Sequence, residues 1–301
     1  MSDFDDIFAG ASQQEQAFLP DATFDKDTWV EKKQAERNSV YELIDQTAES
    51  VAQDGNMFKT YLDVQSRFDR YSVGNALLIA AQRPDARRVG DFDYWKDQGG
   101  YIRKNEKGIT ILEPGEEYTR EDGSIGVSYN PKKVFDITQT TARGKIQPQI
   151  TRDERLLIRA LINNAPVSIK SVDELGVDNK GATFDPEQNT IFVLKGMEGS
   201  DIFRSIASEL ALVEYANSNP DADRNENAFR AYCVSYMLCE RNGIDTKGYD
   251  FSRLPDSLSQ MDAQEVREEL AAIRDTANEI SSRMSKVLEQ GKSARQQGHE
   301  R

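Results

Sequence analysis

The sequence predicts an α+β protein, in which N-terminal helices and a small antiparallel sheet precede a second α+β part and a long C-terminal helix. Three observations predict this class. Apolar residues recur at helical spacing before residue 82, β-branched runs follow within 101–137 and 167–194, and a heptad pattern occupies 266–287. A chain of 301 residues is long enough for a sizeable core and more than one domain.

Local signals predict the N-terminal elements in order. Helical spacing predicts one helix from 26 to about 52 and a second over 57–68, after a break at Gly55. Ser72 is a suitable N-cap for a third helix over 73–82. Strands are then predicted over 101–112 and 133–137, and the 116–130 connection is predicted to be a hairpin loop.

The second half alternates between helical and strand patterns. The predicted elements are a helix over 152–164, strands over 167–169, 182–184 and 190–194, and helices over 201–217 and 226–242. In the terminal helix, the apolar residues step by four and three in turn, which is the spacing of a heptad seam. Packing of this seam onto the chain's own core is favoured, and self-association through the 266–287 helix is the alternative.

These elements suggest four regions. They are an acidic, disordered tail over 1–25, a first domain over 26–140, a second over 150–255, and a C-terminal heptad helix and tail over 256–301.

The charge distribution restricts where nucleic acid could bind. The net charge is −14, so the whole molecule repels polyanions, and a nucleic-acid role requires a locally basic surface. The 83–107 stretch is mildly basic, whereas the first 60 residues and the 256–289 stretch are rich in Asp and Glu. We therefore expect any such surface to include 83–107.

The cysteine content and hydropathy indicate a cytoplasmic protein. The two cysteines, Cys233 and Cys239, are six residues apart in a predicted helix and so lie on different faces, which disfavours a disulfide or a metal pair. The sequence contains no export signal and no apolar stretch of the roughly 18 residues that a membrane span requires.

Residues 71–112 combine aromatic, basic and glycine residues. Rings alternating with cations suit single-stranded nucleic acid, because bases stack on rings and phosphates bind cations. The candidate DNA-binding residues are Tyr71, Asn75, Arg87, Arg88, Trp95, Tyr101, Arg103, Lys104 and Lys107. The cations at 103, 104 and 107 flank a turn at Asn105, where they can converge on a phosphate; a solvated turn is the alternative.

Several of these residues have two interpretations. Tyr101 follows two glycines and is favoured as a stacking residue. Trp95 is either a stacking platform or the core anchor of this small domain, with the core favoured, and Phe92 and Leu77 are expected in the core. Asn75 either contacts a base or caps a neighbouring loop.

Several runs carry a family resemblance: Tyr71-Ser72, Gly74-Asn75-Ala76-Leu77-Leu78, Gly99-Gly100 and Ile102-Arg103-Lys104-Asn105-Glu106-Lys107-Gly108, together with Phe92 and Trp95. They resemble the N-terminal domain of ArdC-type antirestriction proteins, and Val134-Phe135-Asp136-Ile137 followed by Gln139 extends the similarity. The resemblance covers about 58–140 and departs at Asn105, where the family usually has glycine. It implies a single-stranded DNA-binding domain carried by conjugative plasmids and integrative elements, often ahead of a zinc-metallopeptidase-like domain.

The later half follows the order of that peptidase-like domain but lacks its metal ligands. The family's His-Glu-x-x-His motif is replaced by Ser208-Glu209-Leu210-Ala211-Leu212, so a hydroxyl and an aliphatic side chain stand where two imidazoles would bind zinc. The sole histidine of the chain is His299, two positions from its end. The sequence therefore predicts a degenerate metallopeptidase-like domain with no metal, no cofactor and no enzymatic activity.

These inferences predict a non-enzymatic, single-stranded DNA-binding protein of a conjugative or other mobile element, with an antirestriction or DNA-protection role. The alternative is an acidic protein-interaction or DNA-mimic module that acts on a restriction or recombination partner. The two hypotheses differ in charge dependence, because only a DNA binder should lose affinity for oligonucleotides as salt rises.

Overall fold

The computed structural model describes residues 26–120, 122–142, 153–176, 180–218, 224–225 and 227–299. The predicted tail over 1–25 lies outside these residues. Residues 1–39 and 40–301 are two separate units. The boundaries predicted at 140, 150 and 255 stay predictions.

Helices dominate the N-terminal part, as predicted. The elements are α1 (Lys26–Gln53), α2 (Gly55–Arg67), α3 (Val73–Gln82), β1 (Val89–Gly90), α4 (Phe92–Asp97), β2 (Ile109–Thr119) and β3 (Ile125–Asp136). Asp54 caps α2 by accepting the amides of Asn56 and Met57, and Ser72 caps α3 by accepting the amide of Asn75. The short helix α4 was not predicted, although Asp91, which accepts the amide of Tyr94, is a recognisable N-cap.

The first sheet is a long antiparallel hairpin with a short third strand, in the order β1-β3-β2. Ile109 pairs with Val134 and Thr119 with Ile125, with a register shift between Pro114 and Glu117. The prediction of a loop over 116–130 was therefore wrong, because both strands continue through most of it. Ladder hydrogen bonds hold these residues in strands even though the side chains over 116–120 are exposed.

The second half contains α5 (Glu154–Ile162), β4 (Ser168–Val172), β5 (Ala182–Asp185), β6 (Thr190–Leu194), α6 (Gly199–Ser218), α7 (Ala228–Asn242), α8 (Asp256–Ser259) and α9 (Ala263–His299). Its sheet has the order β4-β6-β5, with β4 parallel and β5 antiparallel to β6. Helices thus accompany two small sheets, which confirms the α+β class. No helix among the described residues is long and apolar enough to cross a membrane.

The heptad seam is part of the chain's own core. Val266, Leu270, Ile273 and Ala277 have no exposed surface, and Met284 is only 1% exposed. The α9 helix packs against α3, α5, α6 and α7. Self-association through the 266–287 seam is therefore not the arrangement in this structure, because the apolar side chains are already buried within the chain.

Candidate nucleic-acid interface

A small apolar cluster around Trp95 supports the candidate interface. Trp95 is 1% exposed, and its indole Nε1 donates to the carbonyl of Phe135 at 2.8 Å. Ile137 and Ala142 complete the buried cluster, and Ile102 packs against it. Trp95 is therefore the core anchor and not a stacking platform, because its ring is not accessible to a base.

Arg88 lies at the surface of this cluster. Its guanidinium carbon is 5.5 Å from the ring centroid of Tyr94 and 5.7 Å from that of Trp95. Its Nε also donates to the Tyr94 hydroxyl at 2.8 Å. Cation–π contacts and this hydrogen bond hold the cation in place while the side chain remains exposed.

Tyr101 presents its ring to solvent from a fixed backbone. The residue is 63% exposed. Its amide donates to Thr141 Oγ1 and its carbonyl accepts the Thr141 amide, both at 2.9 Å. A side chain at the preceding Gly100 would come within 2.7 Å of the Ala142 Cβ, so glycine permits this close approach. The predicted stacking residue thus has an exposed ring on an anchored backbone.

The turn after Tyr101 carries three exposed cations. Asn105 has a φ of +66°, in the left-handed region, and the amide of Glu106 donates to the carbonyl of Arg103 at 3.4 Å. The side chains of Arg103, Lys104 and Lys107 are exposed, and no residue in the described part of the chain pairs with them. These cations are therefore available to an anionic ligand.

The segment 136–139 contacts the backbone on both sides of the interface. Asp136 Oδ1 accepts the amides of Arg87 at 2.7 Å and Arg88 at 3.0 Å. The Gln139 carbonyl accepts the amide of Arg103 at 2.9 Å, and its side-chain amide donates to the carbonyl of Lys107 at 2.8 Å. The structure thereby brings together two basic segments that are 15 or more positions apart in sequence.

Asn75 and Tyr71 are less available than predicted. Asn75 donates to the carbonyl of Leu112 at 2.8 Å and accepts its amide at 2.7 Å, so both polar atoms of its side chain serve the edge of β2. It therefore caps a strand, the second of its two interpretations. Tyr71 is half-buried, packs edge-on against Phe68 with ring centroids 5.6 Å apart, and has its pKa raised by burial.

Phe92, in contrast, is more exposed than predicted. It was expected in the core with Leu77, which has no exposed surface, but Phe92 is 57% exposed. It occupies the first position of α4, directly after the cap at Asp91. The apolar ring alone indicated burial, whereas the cap places this first turn at the surface. Phe92 thus adds an exposed ring to the candidate segment.

A comparison with known families identifies this part of the chain. Residues 25–151 match the family model described as the N-terminal domain of anti-restriction factor ArdC. The domain over these residues is therefore similar to an ArdC-type N-terminal domain.

Other known proteins share weaker similarity with this chain. An uncharacterized Bacillus anthracis protein, pXO2-81, is 21% identical over 336 residues, and the alignment covers 92% of this chain and 57% of that protein. The crystal structure of antirestriction protein ArdC from plasmid R388 in its metal-free form is 17% identical, has a TM-score of 0.47, and covers 72% of this chain and 86% of its own. Its Mn(II)-bound form is 18% identical and has a TM-score of 0.48, and the match covers 71% of this chain and 85% of its own.

Downstream of the ArdC-type domain, α6 contains Ser208-Glu209-Leu210-Ala211-Leu212, the run for which the sequence predicts a degenerate peptidase motif. Ser208, Glu209 and Leu212 line a cavity of about 630 Å³, together with Arg224. Glu209 is 5% exposed; its Oε2 accepts the amide of Phe184 at 2.9 Å and forms an ion pair with Arg224.

These residues do not fit a metal ion. Ser208 and Leu212 supply no imidazole, and the one carboxylate of the motif is already neutralised by a guanidinium, which would repel a divalent cation. Within the described residues, no group of three or more His, Cys, Asp or Glu could hold a metal.

Proposed function

We propose that this protein is a non-enzymatic, single-stranded DNA-binding protein of a mobile genetic element, acting in the cytoplasm in an antirestriction or DNA-protection role. Similarity to the ArdC-type N-terminal domain supports the general role, because the matched domain is that of an anti-restriction factor. The substitutions at Ser208 and Leu212 support a function without metal chemistry.

The exposed ring of Tyr101, followed by a turn with three exposed cations, is the observation that carries the proposal. The ring is 63% exposed on an anchored backbone, and the turn at Asn105 follows within four residues. A base stacked on Tyr101 would place its flanking phosphates near Arg103, Lys104 and Lys107. The exposed side chains of Arg87 and Arg88 extend the basic surface.

An exposed stacking ring favours single strands over duplex. In a duplex, both faces of each base are already covered by neighbouring bases, so a protein ring gains access only by unstacking them. The net charge of −14 opposes binding outside this basic surface. We therefore expect binding that is salt-dependent and stronger for single strands.

The proposal is tested by fluorescence anisotropy with a labelled single-stranded oligonucleotide and its duplex at several salt concentrations. The R103A/K104A/K107A variant should bind the single strand more weakly and should reduce the log–log salt slope by about two, since each phosphate contact contributes about 0.7. A matched control, K195A/K247A/R253A, removes three exposed cations outside the ArdC-type domain and should leave the affinity unchanged. Equal losses in both variants would contradict the assignment of the site.

A second candidate function is binding to a restriction or recombination protein. It is favoured by exposed apolar side chains on the β2–β3 hairpin: Tyr118, Ile125, Val127 and Tyr129 are 51%, 67%, 38% and 43% exposed. Such a surface suits a protein partner better than a polyanion, because the hairpin also carries several carboxylates. This hypothesis predicts inhibition of a restriction endonuclease on duplex DNA without binding to free oligonucleotides, and loss of inhibition in I125S/V127S.

A further inference from the structure

Asp136 and Gln139 are buried polar residues at the end of β3 and in the turn that follows it. Their side chains are 0% and 1% exposed. They form a capping box around the 3-10 turn over 137–139, in which Asp136 accepts the amide of Thr138 and its own amide donates to Gln139 Oε1 at 2.9 Å. A turn cap would suffice to explain these bonds, but both residues make additional ones.

Several of the additional hydrogen bonds reach the two basic segments. Asp136 accepts the amides of Arg87 and Arg88. Gln139 accepts the amide of Arg103 through its backbone and donates through its side chain to the carbonyl of Lys107 at 2.8 Å and to Glu106 Oε2 at 3.0 Å. One turn of four residues thus fixes the backbone of both segments.

Electrostatics explains why this fixing is needed. Arg87, Arg88, Arg103, Lys104 and Lys107 repel one another, so the two segments would separate if they were held only by their own backbones. Hydrogen bonds from a buried turn hold them together, and the Asp136 carboxylate brings a negative charge to the backbone amides of Arg87 and Arg88. Buried polar groups that are fully hydrogen-bonded rigidify the elements they connect.

We propose that Asp136 and Gln139 are positioning residues that hold the 86–88 and 103–107 segments as one phosphate-binding surface. This inference rests on the proposed function and extends it. It adds that the two segments bind DNA together, because residues that do not contact DNA hold them in place. Loss of the Gln139 side chain should then weaken single-strand binding about tenfold, although every cation remains.

A matched control separates positioning from general stability. Gln82 also uses its side-chain amide to pair with backbone, donating to the carbonyl of Thr110 and accepting its amide, both at 2.9 Å. Gln82→Ala removes comparable hydrogen bonds from the same domain without touching either basic segment. Both variants should lose stability, whereas Gln139→Ala alone should lose oligonucleotide affinity.

The decisive measurement is a double-mutant cycle of Gln139→Ala with the R103A/K104A/K107A variant, using single-strand affinity at low salt. If Gln139 acts by positioning these cations, its substitution should cause no further loss once they are absent. An equal loss in both backgrounds, or an unchanged affinity of Gln139→Ala alone, would overturn the inference while leaving the proposed function intact.

Amide hydrogen exchange tests the positioning without DNA. In Gln139→Ala, exchange should accelerate at 103–107, and in Asp136→Asn at 86–88, whereas Gln82→Ala should leave both segments unchanged. If the wild type binds no oligonucleotide, the proposed function fails, and this measurement still decides whether the turn orders the two segments. Unchanged amide exchange in both Gln139→Ala and Asp136→Asn would refute the positioning role.

Discussion

Arg224 donates to Glu209, a buried carboxylate that also accepts the amide of Phe184 at 2.9 Å. Glu209 lies in the run over 208–212, for which the sequence predicts a metallopeptidase motif that has lost its two histidines. Glu209, on α6, thus contacts Phe184 of β5 and Arg224. We expect Glu209 to contribute to stability, since both partners hold its carboxylate in place.

Removing the cation should therefore destabilise the fold. Arg224→Ala leaves a carboxylate that is 5% exposed with a single backbone donor, and we expect a loss of about 1 to 3 kcal/mol in the free energy of unfolding by urea at pH 7. Glu209→Gln keeps an acceptor for Phe184 and removes the buried charge. The two substitutions should be strongly non-additive, and simple additivity would show that the ion pair contributes little.

The replaced ligands predict how the chain responds to zinc. Calorimetric titration of the wild type with Zn(II) at micromolar concentrations should show no stoichiometric site, because Ser208 and Leu212 are not zinc ligands. Introducing two histidines one helical turn apart, in S208H/L212H, should create measurable zinc binding. One tightly bound equivalent of zinc in the wild type would contradict the metal-free assignment.

Tyr101 should contribute to binding through its ring and not through its hydroxyl. Tyr101→Phe should retain single-strand affinity, whereas Tyr101→Ala should lose about 1 to 3 kcal/mol, the usual contribution of one stacked base. Tyr118, which is 51% exposed on the hairpin, provides the control. If Tyr118→Ala weakened binding as much as Tyr101→Ala, the stacking site would have to be placed elsewhere.

Asn105 should tolerate glycine better than alanine. Its φ of +66° lies where glycine is unstrained and asparagine is tolerated, while a β-carbon without a compensating polar group costs about 1 to 2 kcal/mol. In thermal unfolding, Asn105→Gly should stay close to the wild type and Asn105→Ala should be less stable. Equal stability of the two variants would indicate that the turn adopts another conformation in solution.

Local signals in the sequence predicted the longer helices but not the short helices α4 and α8. Ser72 correctly predicted the start of α3, because an N-cap acts on amides within three residues. The heptad spacing correctly predicted the buried face of α9. The departure at Asn105 from the family's glycine does not require a different turn, since both residue types suit the left-handed φ of +66° found there.

Contacts between distant residues could not be predicted in this way. Trp95 is buried because its indole bonds to the carbonyl of Phe135, 40 positions later in the sequence. Local sequence alone does not show that Trp95, and not Phe92, makes this contact. The strands over 116–130 form by pairing with each other. The alternation of Ile125, Val127 and Tyr129 with glycine and polar residues was a strand signal that the loop prediction missed. The link between Asp136 and the amide of Arg87 joins residues 49 positions apart.

Asp136 should make stability depend on acid pH. Burial acts to raise the pKa of its carboxyl, but hydrogen bonds from Thr138 and from the amides of Arg88 and Arg87 outweigh it, so the pKa lies below the ordinary value of 3.8. Because the folded pKa is the lower one, the stabilisation is fully present above about pH 5 and is lost as the pH falls below 3.8 towards the folded pKa.

Comparison of the wild type with Asp136→Asn measures this effect directly. At pH 7 the variant should be less stable by about 1 to 3 kcal/mol, because an amide cannot accept all four donors that the carboxylate accepts. Between pH 7 and pH 5 the difference should stay constant, and below pH 3.8 it should shrink as the wild-type carboxylate protonates. Thr138→Val, which removes only the hydroxyl donor, should give a smaller difference. A difference for Asp136→Asn that grew towards low pH would show that the pKa of Asp136 is raised by folding, and that burial outweighs its hydrogen bonds.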